Sequence, residues 1–331
     1  MKTFDYVAAT SADAAVERLG SDPDARILAG GTNLVDLMKL GVVEPETLID
    51  IGSLPLDEIS NADGGGLRIG ATVRNSDLAA HPLVRTRYPV LSKALLAGAS
   101  GQLRNMATTG GNLFQRTRCG YFMDTGKACN KRDPGSGCSA INGINRDMAV
   151  LGASDACVAT HPSDMAVAMA VLEPELDVLG PTGRRTVAFN DFYRLPGEHP
   201  EFDNTLGRDD LVTALTIPPL PAARSSTYRK VRDRASYAFA LVSVAAILTV
   251  DDGHVSAVRI ALGSVAHKPW RATGAEAALL GRPALRSEFA AAMDRELTTA
   301  EPLSDNAFKI GLVKSVATQT LVELAAAEGR R

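Results

Sequence analysis

The chain has only four cysteines, Cys119, Cys129, Cys138 and Cys157, and the first three lie within the single run RCGYFMDTGKACNKRDPGSGC. Four thiols brought together in one segment can form disulfides, close a tetrahedral zinc site or hold the corners of an iron–sulfur cubane. Disulfides belong to oxidising compartments and mostly to small domains short of a core. Structural zinc usually takes cysteines in pairs separated by two to four residues, whereas the spacing here is C-x9-C-x8-C-x18-C. A cubane accepts ligands from a long wrapping loop, and amide donors and positive charge near its sulfurs offset its anionic character. Gly135, Gly137, Arg118, Lys131 and Arg132 meet that need in the sequence. Spacing alone leaves cluster and zinc open.

A second chemistry is written twice. RILAGGTNLVDLMKLG runs from a short apolar segment through Gly30, Gly31, Thr32 and Asn33 into a helical pattern that Gly41 can end, and NMATTGGNLFQ repeats the theme with Thr108, Thr109, Gly110, Gly111 and Asn112. Paired glycines allow positive φ and leave the backbone bare, so successive amides can converge on an anion. Either loop alone reads equally well as a tight strand-to-helix turn. Two of them, each with Asn after the glycine pair, point to a dinucleotide held between two loops.

Other sites are set aside. GSGCSA follows Pro134 and a polar run instead of the buried strand a dinucleotide fingerprint needs. The segment from Gly120 to Ala128 has one residue too many for a phosphate-binding P-loop and Ala128 where Ser or Thr must stand. His161 lies near Cys157, but a lone histidine is more often structural than a ligand, and His81, His199, His254 and His267 receive no role. There is no HExxH motif and no Ser/His/Asp signature.

The elements that must position these residues read as follows. TLIDI and LRIGA have strand character, Ser76 is placed to cap a short helix, and PVLSKALLAGA has helical spacing. HPSDMAVAMAVLE predicts a helix capped by Ser163 or Asp164 with one apolar face, followed by a hairpin of ELDVLG and RRTVAF. LVTALTI is a strand that ends in a proline-rich break at 218–221. Beyond it, three strands in a meander and three Ala/Leu-rich helices near 272–281, 286–298 and 305–327 indicate a separate α+β unit.

Length and composition agree. At 331 residues the chain suits about two domains of roughly 100–200 residues, and its 45% apolar share sustains real cores. With 35 basic and 38 acidic residues the net charge is −3, so no whole-chain attraction to nucleic acid or an anionic membrane is expected. The N-terminal residues lack the apolar core of a signal peptide, and FALVSVAAILTV is too short to span a bilayer. A soluble protein without its own export signal is expected.

Taken together, AGGTNLVDLMK, ATTGGNL, HPSDMA and YRKVRDRASYAFALVSVA, in this order and over essentially the whole chain, resemble the FAD-binding (medium) subunit of the xanthine dehydrogenase and molybdenum hydroxylase family. The Cys-bearing insert is similar to that of bacterial periplasmic aldehyde oxidoreductases. The resemblance implies an α+β fold: a two-part FAD-binding domain of the PCMH type over 1–221, with an insert at about 115–160, and a smaller C-terminal domain over 222–331 with a three-stranded antiparallel sheet and a helix bundle. It implies that Ala29, Gly30, Gly31, Thr32, Asn33 and Leu34 wrap the FAD pyrophosphate and that Thr108, Thr109, Gly110, Gly111 and Asn112 close it from the other side. Asp164, Leu211 and Lys230 would then line the flavin, and Cys119, Cys129, Cys138 and Cys157 would bind a [4Fe–4S] cluster, its amides turned in by the insert's glycines. The implied partners are a large molybdopterin-binding catalytic subunit and a small subunit with two [2Fe–2S] clusters, acting together on an aldehyde, either in the cytoplasm or in the periplasm after export with a signal-bearing partner. The alternative is an assembly subunit with a four-cysteine staple and no active flavin.

Overall fold

In the computed structural model, which describes residues 1–328, the first fifty residues alternate strand and helix. β1 (Asp5–Ala8), α1 (Ala12–Ser21), β2 (Ala25–Leu28), α2 (Leu34–Lys39) and β3 (Thr47–Asp50) form a parallel sheet in the order β1-β3-β2. Parallel neighbours need crossovers, which α1 and α2 supply. Ser11 starts α1 by accepting the Ala14 amide, and Ala15, Val16 and Leu19 pack with Ile49 and Leu54 into a small core.

β4 (Ile59–Asn61) and β5 (Leu67–Gly70) lead into a helical layer of α3 (Asn75–Ala80), α4 (Pro82–Arg87), α5 (Pro89–Ala97), α6 (Gly101–Met106) and α7 (Thr109–Leu113). The insert opens with the short α8 (Gly120–Met123), and the chain returns as α9 (Asp164–Leu172), the hairpin β6 (Glu175–Gly180) and β7 (Gly183–Ala188), α10 (Phe189–Phe192) and β8 (Leu211–Ile217). These strands build an antiparallel sheet in the order β4-β5-β8-β6-β7. Ser76 lies inside α3, whose N-cap position is Arg74, so it caps nothing. α9 has no single apolar face either: every residue from Met165 to Leu172 is buried, because the helix is wedged between α5 and the C-terminal sheet. A helix apolar all round is a core helix.

After the prolines at 218, 219 and 221, β9 (Ser226–Val231), β10 (Val242–Asp251), β11 (His254–Gly263) and β12 (Trp270–Arg271) pair antiparallel in the order β12-β11-β10-β9. The sheet has four strands where three were expected, the two-residue β12 being too short to show a period. α11 (Thr273–Leu279), α12 (Arg286–Glu296) and α13 (Phe308–Glu328) cover it. α13, and not the 239–250 segment, is the long apolar run. By length and composition it could cross a membrane, yet Val313, Ala317 and Leu321 are buried in the second core. Its approach is clasped to the end of the insert: Asn306 Nδ2 donates to the carbonyls of Met148 and Ala149, and the buried Lys309 ammonium to those of Asp147, Met148 and Ser264.

Candidate flavin and cysteine sites

The two Gly-Gly loops face each other across a cavity of ≈ 580 Å³, a size suited to a ligand or cofactor. Gly30, Gly31, Thr32 and Asn33 form one wall as the chain leaves β2 and enters α2. Gly31 adopts φ +71°, and a Cβ on Gly30 would fall 2.0 Å from the Met106 carbonyl oxygen, so only glycine lets the loop lie against the end of α6. The Gly30, Gly31, Thr32 and Asn33 amides donate to no other group among the described residues. Asn33 Oδ1 accepts the Arg116 amide at 3.0 Å while its buried Nδ2 has no partner. Buried donors left unpaired are costly, so this loop fits a bound acceptor such as a phosphate. Ala29 packs against the small core beneath, and Leu34 begins α2; neither lines the cavity.

The second loop divides. Gly111 and Asn112 line the cavity, but Thr108, Thr109 and Gly110 fasten the loop to the end of β5 and do not face the ligand space. The Thr109 amide and hydroxyl both donate to the Val73 carbonyl, the Gly110 amide donates to Ala71, and Thr108 Oγ1 caps α7 by accepting the Gly111 amide. At these three positions the tight-turn reading holds. Asn112 Oδ1 accepts from Ser163 Oγ at 2.5 Å and from Gln115 Nε2 at 2.9 Å, tying the loop to α9.

Asp164 and Lys230 come together on the cavity wall at 2.8 Å, both nearly buried, with Lys230 also 3.3 Å from the Ala97 carbonyl. Leu211 does not join them. It opens β8 with its side chain in the N-terminal core beside Leu179, because the antiparallel pairing Leu179↔Leu211 turns both to that face. Arg118, expected near the cysteines, lines the cavity instead, ion-paired with Asp36 and 5.6 Å from the Phe239 ring. Tyr237 and Phe239, exposed on the β9–β10 connection, form the cavity rim; they lie in the YRKVRDRASYAFALVSVA stretch but receive no role from sequence.

The cysteines are free thiols in one neighbourhood. Cys129 and Cys138 face each other across an isolated antiparallel bridge, and Cys119 and Cys157 each feel the charges of other cysteines in the set. Among the described residues, no three His, Cys, Asp or Glu side chains converge closely enough to hold a metal ion. Gly135 and Gly137 take φ +89° and +99°, but their amides donate to Asn130 Oδ1 at 3.1 and 2.7 Å and do not turn to the sulfurs. That role falls to other amides: Tyr121 and Phe122 toward Cys119, and Ala159 toward Cys157. Burial pushes the Cys119 thiol up and Cys157 up to about 12, with the Lys131 charge pulling Cys157 the other way. Lys131 is buried and held by the Pro200 carbonyl at 2.6 Å and Asp203 at 2.5 Å, whereas Arg132 is spent on the carbonyls of Tyr121, Phe122 and Lys127. Four thiols, inward amides and one buried cation fit an anionic thiolate-ligated group.

Residues 2–220 match the family described as the FAD binding domain in molybdopterin dehydrogenase, and residues 226–324 the CO dehydrogenase flavoprotein C-terminal domain. The chain is 52% identical to the aldehyde oxidoreductase FAD-binding subunit PaoB of Escherichia coli, covering 98% of each. It is 29% identical to the carbon monoxide dehydrogenase medium chain of Hydrogenophaga pseudoflava, over 91% of this chain and 88% of that one. A solved carbon monoxide dehydrogenase from that organism superposes with a TM-score of 0.76 at 27% identity, covering 99% of this chain and 98% of the other. Quinoline 2-oxidoreductase from Pseudomonas putida also gives a TM-score of 0.76, at 26% identity and 99% coverage of both chains. With the paired loops and their cavity in place, the chain belongs to the FAD-binding medium subunits of the molybdenum hydroxylase family.

Proposed function

We propose that this chain is the electron-transfer subunit of an aldehyde oxidoreductase, working between a small subunit with two [2Fe–2S] clusters and an external acceptor while a large molybdopterin subunit converts aldehyde to carboxylic acid. The observation that carries the reading is the first loop, whose free amides and orphaned Asn33 Nδ2 border the cavity. Gly30, Gly31, Thr32 and Asn33 would hold the pyrophosphate of FAD, Gly111 and Asn112 would close on it, and Asp164 and Lys230 would face the flavin. Bound there, FAD supplies exchange of one or two electrons between carriers. The chain's own part is to bind and orient it, to keep the Lys230 ammonium at the wall and to exclude water beneath. The likeness to an aldehyde oxidoreductase subunit across 98% of the chain supports the substrate class.

Cys119, Cys129, Cys138 and Cys157 would hold one [4Fe–4S] cluster; the amides directed at Cys119 and Cys157 and the buried Lys131 charge beside Cys157 support an anionic thiolate-ligated group there. The chain would travel with a signal-bearing small subunit to the periplasm or remain with it in the cytoplasm, which fractionation of cells decides.

Cofactor analysis of anaerobically purified protein is the test. We expect about one FAD, four iron and four sulfide per chain, on the stoichiometry of a cubane held by four thiolates. The cavity is lined by no His or Cys, so acid precipitation should release the FAD into the supernatant. Colourless protein carrying one zinc and no sulfide would leave only a stapled assembly subunit, and aldehyde turnover by the chain without its partners would overturn the division of labour.

A further inference from the structure

Asp164 has a partner that the binding of FAD does not require. Tyr228 lies two residues before Lys230 on β9, so both side chains leave the same face of the strand. Tyr228 Oη donates to Asp164 Oδ1 at 2.5 Å, while Lys230 Nζ donates to Oδ2 of the same carboxylate at 2.8 Å. The phenol is buried at 8% exposure and does not line the cavity; it reaches Asp164 from behind. Space for the arrangement is built in. Ser243, the neighbour of Lys230 across β10, lies beside the phenol oxygen, and opposite it on β11 stands Gly263, where a Cβ would come within 2.2 Å of Ser243 Oγ. Burial and the adjacent Asp164 hold the phenol well above its usual range, so it remains a donor.

We infer that Tyr228 is a positioning residue for the flavin chemistry: by drawing the charge of Asp164 toward itself it leaves the Lys230 ammonium only partly neutralised at the cavity wall, which favours the reduced flavin. The inference rests on the reading of the cavity as the FAD site. Two-electron reduction with uptake of one proton leaves the ring one charge more negative, so a less neutralised cation beside it raises the reduction potential. Without the phenol donor, Asp164 pairs more fully with Lys230 and the potential falls. Since the bond is made to a charged acceptor, it belongs to the stronger class of hydrogen bonds.

The experiment is an anaerobic redox titration of FAD bound to the full chain, followed by flavin absorbance, for Tyr228→Phe, Asp164→Asn and the double variant. Tyr228→Phe should keep its FAD and shift the potential downward, and in the Asp164→Asn background it should produce no further shift, because the phenol acts through the carboxylate. An unchanged potential in FAD-loaded Tyr228→Phe, or an equal shift in both backgrounds, would overturn the inference while leaving the flavin site standing. Absence of FAD from the unaltered chain would overturn the site reading itself. If Tyr228→Phe loses FAD, fluorotyrosine placed at 228 keeps the shape and strengthens the donor; the potential must then rise, and no rise sinks the idea.

Discussion

At the scale of single residues, Gly30 carries the sharpest steric demand in the cavity wall. A Cβ there meets a backbone carbonyl at 2.0 Å, so α6 would have to move. Gly30→Ala should destabilise the chain by about 1–3 kcal/mol, the usual cost of forcing extra atoms into a packed site, and weaken FAD binding by more than about tenfold, equivalent to roughly 1.4 kcal/mol. Gly101→Ala is the control, because a Cβ there meets nothing within 4 Å. FAD content and a binding titration of the two variants check the contrast; equal retention of FAD would remove Gly30 from the site.

At the scale of elements, α9 is the junction. Ser163 caps it by accepting the Ala166 amide at 2.9 Å and donates in turn to Asn112 Oδ1, so one hydroxyl joins the start of the central helix to the second loop. Ser163→Ala should cost about 1–2 kcal/mol, near the upper range for a lost cap, and should loosen the 108–112 loop. Thermal unfolding and hydrogen exchange at Gly111 and Asn112 measure the two effects; unaltered exchange there would show that the loop is held by its β5 contacts alone.

At the scale of the whole molecule, a buried polar knot gathers Lys131 from the insert, His161 from the approach to α9, Asp203 from the β7–β8 connection and His267 from the C-terminal domain. Arg116 pairs with Asp203 at 2.8 Å, and His267 Nδ1 reaches the Arg194 carbonyl at 3.3 Å. Burial lowers His161 to about 3 and His267 to about 4, so both rings are neutral in the folded chain at neutral pH. Unfolded, they take up protons below pH about 6.5. The unfolded state therefore binds more protons as pH falls from about 6.5 toward 4, and stability is present above that window and lost through it, by up to about 1.4 kcal/mol per pH unit for each ring. Asp203 does not contribute in this window: burial pushes it up, but Lys131 and Arg116 outweigh that and hold it well below the usual carboxylate range, so its loss comes at lower pH. Unfolding midpoints between pH 7 and 5 should drop steeply for the unaltered chain and less for His267→Gln; parallel curves would refute the linkage.

What the sequence determined by itself is what depends on local geometry. Gly30 and Gly31 announce a bare turn between strand and helix, the alternation around Tyr228 and Lys230 announces a strand, and the four cysteines in one segment announce a shared site, because backbone freedom, side-chain period and residue chemistry are properties of neighbours in the chain. Tertiary structure decided which of those groups remain free. Thr109 and Gly110 look as available as Gly30 until Val73 and Ala71 claim their amides, and Gly135 and Gly137 look aimed at sulfur until Asn130 takes them. Leu211 is turned into a core by its pairing with Leu179, and Tyr228 meets Asp164 only because β9 pairs with β10, the strand that packs against α9, across a separation of 64 residues. A hydrogen-bonding group can serve a ligand only when no partner from elsewhere in the chain has reached it first, and those partners are set by packing between segments far apart in sequence.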